Sequence, residues 1–295
     1  MQKEFSKQIP FWTFLFIGLI FFTFQKVSAD ENEESLWEYG LGFGYVHFAQ
    51  YPASNQYTNL LLPFPTFQYR GKIIRADDRD GTRAYIYKAP RLTIELSGGG
   101  TAPVYSSGND VRSGMPNLPW VVNLGPQLVY QISPQLDYRL GIFQATLTDF
   151  QDTRFSGQVV ESKFVYQWES ELKILESANE VKMKGRISLE ARAGSKQFLD
   201  TYFTIRPEYA NPERFQYEAK AGFLDFEFSY FQSFKLKRTA IYYGFSIADY
   251  SGSVNRLSPL HNSDYNLSYV MGLTYELAES KKASVDQKNT EGLIH

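Results

Sequence analysis

Most of this chain alternates, residue by residue, between apolar side chains and small or polar ones. In 37–45 the odd positions are aromatic or Leu and the even positions are Glu or Gly, and in 265–277 the odd positions are again apolar. Successive side chains of a β-strand point to opposite faces, so a period of two predicts strands with one apolar face. The same alternation covers 37–49, 91–97, 120–131, 136–142, 186–193, 225–230 and 265–277.

The chemistry of the two strand faces favours a membrane barrel over a soluble sandwich. A soluble sandwich carries polar side chains outside and aliphatic ones inside. Here Tyr and Trp lie near several strand ends, as in the aromatic girdles of outer-membrane barrels, and aromatic residues make up 17% of the chain. We therefore predict an all-β fold, a transmembrane antiparallel up-and-down β-barrel. A secreted sandwich or a lipocalin-like barrel is the alternative.

The alternation also bounds the number of strands. About eleven strands can be drawn from it, and the stretch 158–181 fits either one strand or two. Closed barrels of the bacterial outer membrane have an even number of strands, so we predict twelve, with ten as the alternative. The predicted periplasmic turns are 132–135 and 233–235, and the predicted extracellular segments are 100–118, 207–221 and 249–264.

The N-terminus predicts export. Lys3 and Lys7 precede an apolar run, 11–24, that is too short for a transmembrane helix of about 20 residues. Small residues at 27–29 match a signal peptidase site. We predict a signal peptide at 1–29, an outer-membrane barrel at 30–277, and a polar, disordered tail at 278–295. The predicted location is the outer membrane of a bacterial cell.

Charged residues recur on the predicted lumenal face of the strands. Opposite charges follow each other along single strands, such as Arg91 with Glu95 and Arg186 with Glu190. The lumen-facing polar candidates are Arg91, Glu95, Asp137, Arg139, Arg186, Glu190, Arg192, Asp225 and Glu227. Such residues either line water or fill the lumen with salt bridges, because barrels of this size range from packed to open. A narrow pore for small solutes is therefore one predicted function.

Four segments, in order along the chain, resemble the MipA/OmpV (MltA-interacting protein) family of outer-membrane proteins. They are GLGFGYVHFAQYPASNQYTNLLLPFPTFQYRG at 40–71, APRLTIELSGGGTAPVYSSGNDVRSGMPNLPWVVNLGPQLVYQIS at 89–133, TYFTIRPEYANPERFQYEAKAGF at 201–223, and NRLSPLHNSDYNLSYVMGLTYEL at 255–277. The second includes the family's Arg-x-Gly-Met-Pro-x-Leu loop. The resemblance covers nearly all of the chain after residue 29.

This resemblance implies a non-enzymatic scaffold in the outer membrane. Named members of the family are similar to adaptors that hold a murein hydrolase and a murein synthase together at the envelope. The expected partners are therefore outer-membrane lipid and these two peptidoglycan enzymes. No catalytic, cofactor-binding or metal-binding residue is predicted.

The composition offers little support for other chemistry. The chain has no Cys, and its His are His47, His261 and His295. His47 is predicted to be a rim residue at the far end of its strand. His261 and Ser263 have the spacing of the His-x-Ser pair of lipid A deacylases, which leaves a deacylase-like barrel enzyme as a minor alternative. A net charge of -2 gives no basic surface for nucleic acid.

Overall fold

The computed structural model describes residues 35–77, 81–173, 180–281 and 292–293. Within these residues the chain forms β1 (Trp37–Ala49), β2 (Tyr57–Arg70), β3 (Ile74–Asp77), β4 (Gly81–Lys88), β5 (Leu92–Thr101), β6 (Trp120–Gln131), β7 (Leu136–Thr148), β8 (Thr153–Lys173), β9 (Glu180–Gly194), α1 (Lys196–Phe203), β10 (Gly222–Leu236), β11 (Thr239–Asp249), β12 (Tyr265–Glu279) and β13 (Gly292–Leu293). The predicted signal peptide at 1–29 lies outside the described residues.

The first twelve strands close into a ring. Each pairs antiparallel with the next strand in sequence, and β12 pairs back onto β1, so that Leu41 lies between Pro65 of β2 and Tyr275 of β12. The predicted all-β, up-and-down barrel is confirmed, with twelve strands rather than ten. The ambiguous stretch 158–181 holds most of β8 and the first residues of β9.

The two faces of the wall follow the alternation of the sequence. On β1, Leu41 and Phe43 are exposed while Gly40, Gly42 and Gly44 are buried. β7 behaves in the same way, with Ile142 outside and Phe143 inside. The outer surface of the barrel is therefore a band of apolar and aromatic side chains, which requires a lipid environment.

The antiparallel order gives the barrel two different ends. The turn end carries the short connections 71–73, 89–91, 132–135 and 237–238, and the loop end carries 50–56, 102–119, 149–152, 195–221 and 250–264. The predicted turn at 233–235 was wrong, because these residues continue β10. Lys237 takes the chain around instead, with a φ of 54° that permits a two-residue hairpin. That the turn end faces the periplasm stays a prediction.

The last two strands lie in the C-terminal part of the described chain. β12 runs to Glu279, and β13 pairs with Tyr87 and Lys88 of β4, while 282–291 lie outside the described residues. No helix in the described ranges is long and apolar enough to span a membrane.

Candidate functional site

The lumen near the turn end is charged. Asp77 accepts two hydrogen bonds of 2.9 Å from the Arg83 guanidinium, and Arg83 Nε lies 4.0 Å from a Glu95 carboxylate oxygen. Arg139 and Asp137 form an ion pair of 3.2 Å on β7. All four of Arg83, Glu95, Asp137 and Arg139 are buried and line a polar cavity of about 160 Å³. Arg91 lines the same cavity from the turn before β5 and is exposed.

A second charged group lies on β8, β9 and β10. The Arg192 guanidinium donates two hydrogen bonds to the fully buried Asp225. A carboxylate oxygen of Glu227 lies 3.7 Å from the same guanidinium. Lys163 of β8 contacts Glu190 at 3.0 Å. Arg186 lies on the same strand as Glu190, opposite Gln167 and Phe231 of the neighbouring strands. These ion pairs join adjacent strands through the lumen.

A third group, missed from the sequence, joins the seam between β1 and β12 to β10. Lys235 Nζ lies 2.9 Å from both Glu38 and Glu276, and Arg70 contacts Glu38 at 2.8 Å. The alternation of the sequence could have identified these residues, because each falls at a lumen-facing position of its strand. They lie near strand ends, where few alternating residues follow and the face of a side chain is harder to predict.

The loop-end half of the lumen is largely filled by a hydrophobic core, which borders the Arg192–Asp225 pair. Wall residues of β6, β7 and β8, among them Val121, Phe143 and Val159, pack with side chains from the loops. The loop side chains of this core are Tyr51, Ala53, Val104, Leu118, Phe198, Leu199, Tyr202, Phe203, Ile205, Ala219, Tyr250 and Leu260. We call these loop side chains the plug.

Helix α1 is the centre of the plug. Ser195 caps its N-terminus by accepting a hydrogen bond from the Phe198 amide. Its apolar face is Phe198, Leu199, Tyr202 and Phe203, all buried. The helix reaches the wall at Gly157, whose φ is +84° and where a Cβ would lie 2.2 Å from Ser195 Oγ. A side chain at that position would push the helix away from β8.

Hydrogen bonds between loops hold the plug together. Arg214 donates to the carbonyl of Ser113 at 2.9 Å and to that of Val111, which ties 195–221 to 102–119. The amides of Asn262 and Ser263 donate to the Ala53 carbonyl at 2.8 and 3.0 Å, which ties 250–264 to the β1–β2 turn. The Ser258 hydroxyl donates to the Phe203 carbonyl at 2.7 Å and joins the two pairs, so the plug is one interlocked unit of four connections.

Buried Arg112, in the loop with the Arg-x-Gly-Met-Pro-x-Leu pattern, belongs to this unit. Its guanidinium lies over the Tyr51 ring, 5.6 Å from the ring centre, and donates to the Pro116 carbonyl at 3.1 Å. Burial lowers the pKa of Arg112 to about 10, and the charge of Arg214 acts in the same direction.

The geometry around His261 differs from that of a His–Ser catalytic pair. His261 Nε2 lies 3.1 Å from Asp264, which also accepts two hydrogen bonds from Arg256. The Ser263 hydroxyl donates to the Tyr265 carbonyl at 2.5 Å. Burial lowers the pKa of His261, and the hydrogen bond to Asp264 opposes this shift. His261 therefore acts as a structural contact within its loop.

His47 stacks between two aromatic rings, and metal binding gains no support. His47 lies 4.6 Å from the ring centres of both Tyr57 and Tyr269. Within the described ranges, no group of three or more His, Cys, Asp or Glu side chains is arranged to hold a metal ion.

The closed ring, the apolar outer band and the charged lumen define a transmembrane β-barrel of the bacterial outer membrane. Residues 40–277 match the family described as MltA-interacting protein MipA. The chain belongs to this family, as the four sequence segments predicted.

The solved structures that resemble this chain are only distantly similar to it. The chain is similar to Pseudomonas putida OprB, at 8% identity and a TM-score of 0.26, over 84% of this chain and 100% of that one. It is similar to Vibrio cholerae OmpT, at 10% identity and a TM-score of 0.22, over 85% and 100%. At such TM-scores neither likeness bears on function. A search of curated protein sequences found no significant match.

Proposed function

We propose that this outer-membrane barrel is a non-enzymatic adaptor that binds peptidoglycan-remodelling enzymes, a murein hydrolase and a murein synthase, at its turn end. The observation that carries the proposal is the plug. A pore needs a path through the lumen, whereas an adaptor needs only a rigid frame with an accessible end. The family description, MltA-interacting protein, supports the same role.

The β8–β9 hairpin offers the surface for such a partner. β7 begins at Leu136, which pairs with Tyr166, but β8 continues to Lys173 and pairs with β9 down to Glu180. We call 167–173 and 180–185 the β8–β9 extension. Beyond Gln167, whose amide donates to the Gln135 carbonyl, the described part of β7 offers β8 no further partner.

The position of the aromatic residues supports an extension that lies outside the lipid. The Trp168 ring centre lies 5.9 Å from that of Tyr166 and 6.1 Å from that of Tyr230. Such a row of aromatic rings along the wall resembles an interfacial girdle. Beyond Trp168 every second residue is charged, with Glu169 opposite Lys184 and Glu171 opposite Lys182. A charged hairpin on the aqueous side of the girdle suits binding to a soluble domain of an envelope enzyme.

The test shortens or recharges the extension. Replacing 170–183 by Asn-Gly joins the paired residues Glu169 and Lys184 through a two-residue turn. We expect purified murein hydrolase and synthase to bind the native barrel in detergent and to lose at least tenfold affinity for this variant. The charge variant Glu169→Lys/Glu171→Lys, which keeps the backbone, should lose affinity in the same direction.

The control carries the same charge change at the loop end. Glu208→Lys/Glu213→Lys alters two exposed loop residues and should bind both enzymes as the native protein does. Heat-dependent migration in gels reports whether each variant is folded. Equal binding by the shortened barrel, or no binding by the native one, would contradict the proposal.

A further inference from the structure

One part of the barrel wall is incomplete. β2 pairs with β3 only through Tyr69 and Arg70, and β5 pairs with β4 only through 93–97. On the loop side of the short β3–β4 hairpin, the described residues therefore leave 57–67 of β2 and 98–101 of β5 with a strand on one edge only. We call this gap between β2 and β5 the window. Below it, three strand spacings of about 4.8 Å each separate β2 from β5.

Side-chain exposure marks the same gap independently. Residues 59–63 of β2 and 98–101 of β5 are exposed without interruption. In the other described strands no run of exposed residues is longer than three, and those runs lie at strand ends, at 153–155 and 277–279. Because successive side chains point to opposite faces, an unbroken exposed run means that both faces of the strand are accessible. Leu61 on the outer face is 65% exposed, and Leu62 on the lumenal face is 38% exposed.

The edge of β2 is unsuited to pairing with another strand. Pro63 and Pro65 carry no N–H, and proline in a sheet is confined to edges where no ladder bond is lost. An added strand would find two donors missing within three residues of the edge. Prolines on an exposed edge are a common protection against strand addition. The window therefore does not suit a β-strand of a second copy or of a partner.

The lumenal side of β2 is apolar at 60–64, unlike the charged lumen near the turn end. Leu60, Leu62 and Phe64 share the lumenal face with Gly42 and Gly44 of β1. The Phe64 ring lies against these glycines, since a Cβ on Gly42 would lie 2.4 Å from it. Across the window, Gly98, Gly99 and Gly100 form a rim without side chains. The apolar lumenal groove is thus continuous with the lipid-facing surface of the barrel.

The opening faces the membrane and not the aqueous loop end. Gln56 Nε2 donates to Asp110 at 2.7 Å, and the Asp110 amide donates back to Gln56 Oε1 at 2.9 Å. Asn109 donates to Gln50 at 2.6 Å beside this pair. These contacts join the β1–β2 turn to the 102–119 loop across the top of the window. An apolar ligand therefore reaches the groove sideways, from the lipid.

We propose that the window is a lateral binding site for the acyl chain of a membrane amphiphile, which packs on the lumenal faces of Leu60, Leu62 and Phe64. Apolar contact alone supplies the affinity there, because burial of apolar surface is favourable. This site is separate from the β8–β9 extension, and it holds whether or not the barrel binds peptidoglycan enzymes.

The test uses the absence of Cys in the native chain. Leu62→Cys, Leu61→Cys and Ser268→Cys each carry one fluorophore in the full-length barrel, in vesicles of phosphatidylcholine with brominated acyl chains. Ser268 shares the lumenal face but lies on β12, which has strands on both edges. We expect bromine to quench the label at Leu62→Cys as strongly as at Leu61→Cys, and several-fold more than at Ser268→Cys. Quenching at Leu62→Cys no greater than at Ser268→Cys overturns the proposal.

A second arm closes the window. A Cβ at Gly99 meets no atom within 4 Å, so Gly99→Trp can add a ring on the lumenal side of the window, where it would cover the groove. Combined with Leu62→Cys, it should reduce quenching to the level of Ser268→Cys. Gly108→Trp is the matched control, because Gly108 is equally open but lies in the 102–119 loop, and it should leave quenching unchanged. Equal effects of both tryptophans, or energy transfer between copies labelled at Leu62→Cys in place of lipid quenching, would also overturn the proposal.

Discussion

Neighbouring residues of β5 lie in two different environments. Ile94 belongs to the outer apolar face, whereas Thr93 lines the polar cavity with Glu95 and Asp137. We expect Ile94→Arg to reduce the free energy of unfolding by about 2 kcal/mol, since cations on the lipid face cost up to about 4 kcal/mol at the midplane. Thr93→Arg, on the polar lumenal face, should cost less than Ile94→Arg, because the cavity there already holds charged side chains of both signs. Urea titration in lipid vesicles measures both, and equal costs would contradict the assigned faces.

Residue parity predicts which polar side chains share a face, but it contains nothing about their partners. Glu95 lies near Arg83 of β4, and Glu190 contacts Lys163 of β8. The sequence suggested partners along the same strand, Arg91 and Arg186. Partners across strands depend on register, which turn geometry and the tilt of the closed barrel set together. A single strand's alternation does not encode that register.

Helix α1 should control how firmly the plug is held. Leu199 is fully buried between α1 and the wall, while Gln197 on the same helix is exposed. We expect Leu199→Asp to destabilise the plug by roughly 3–5 kcal/mol, because it removes a core side chain and buries a charge. Limited proteolysis should then cleave the loops at 195–221, while heat-dependent gel migration shows an intact barrel. Gln197→Asp should resist protease like the native protein. Equal resistance of both variants would mean that α1 does not hold the plug.

The sequence did contain a signal for α1, but a short one. Ser195 is a standard N-cap residue, and the apolar positions 198, 199, 202 and 203 have helical spacing. The helix spans only 8 residues, which is too short to be stable without tertiary packing. Its existence depends on the surrounding wall, so local sequence could not separate it from a loop.

The number of strands in the barrel was predictable from the sequence, but the length of each strand in the wall was not. Alternation along each strand and the rule of even closure gave twelve strands, which the structure confirms. Asp77 pairs with Gly81 where the β3–β4 hairpin turns. The short reach of that hairpin was not predictable, because a strand's length in the wall depends on its neighbours' register. The incomplete wall beside β2 is a consequence of that length.

The plug favours the proposed adaptor over the pore that the sequence left open. A ring of twelve strands is wider than the 8-strand barrels that side chains alone can fill, and narrower than the 16–18-strand porins with open channels. Its conductance therefore depends on what occupies the lumen, and here a hydrophobic core does so at the loop end.

We expect the native barrel in planar bilayers to give no steady single-channel current. Replacing 196–220 by a Gly-Ser linker removes α1 and its neighbours from the lumen, and should produce stable conductance steps. Gln197→Asp, which leaves the plug in place, should remain silent. Steady current through the native barrel would favour a narrow pore. Silence of both the native and the linker proteins would show that the charged clusters of the lumen close it by themselves.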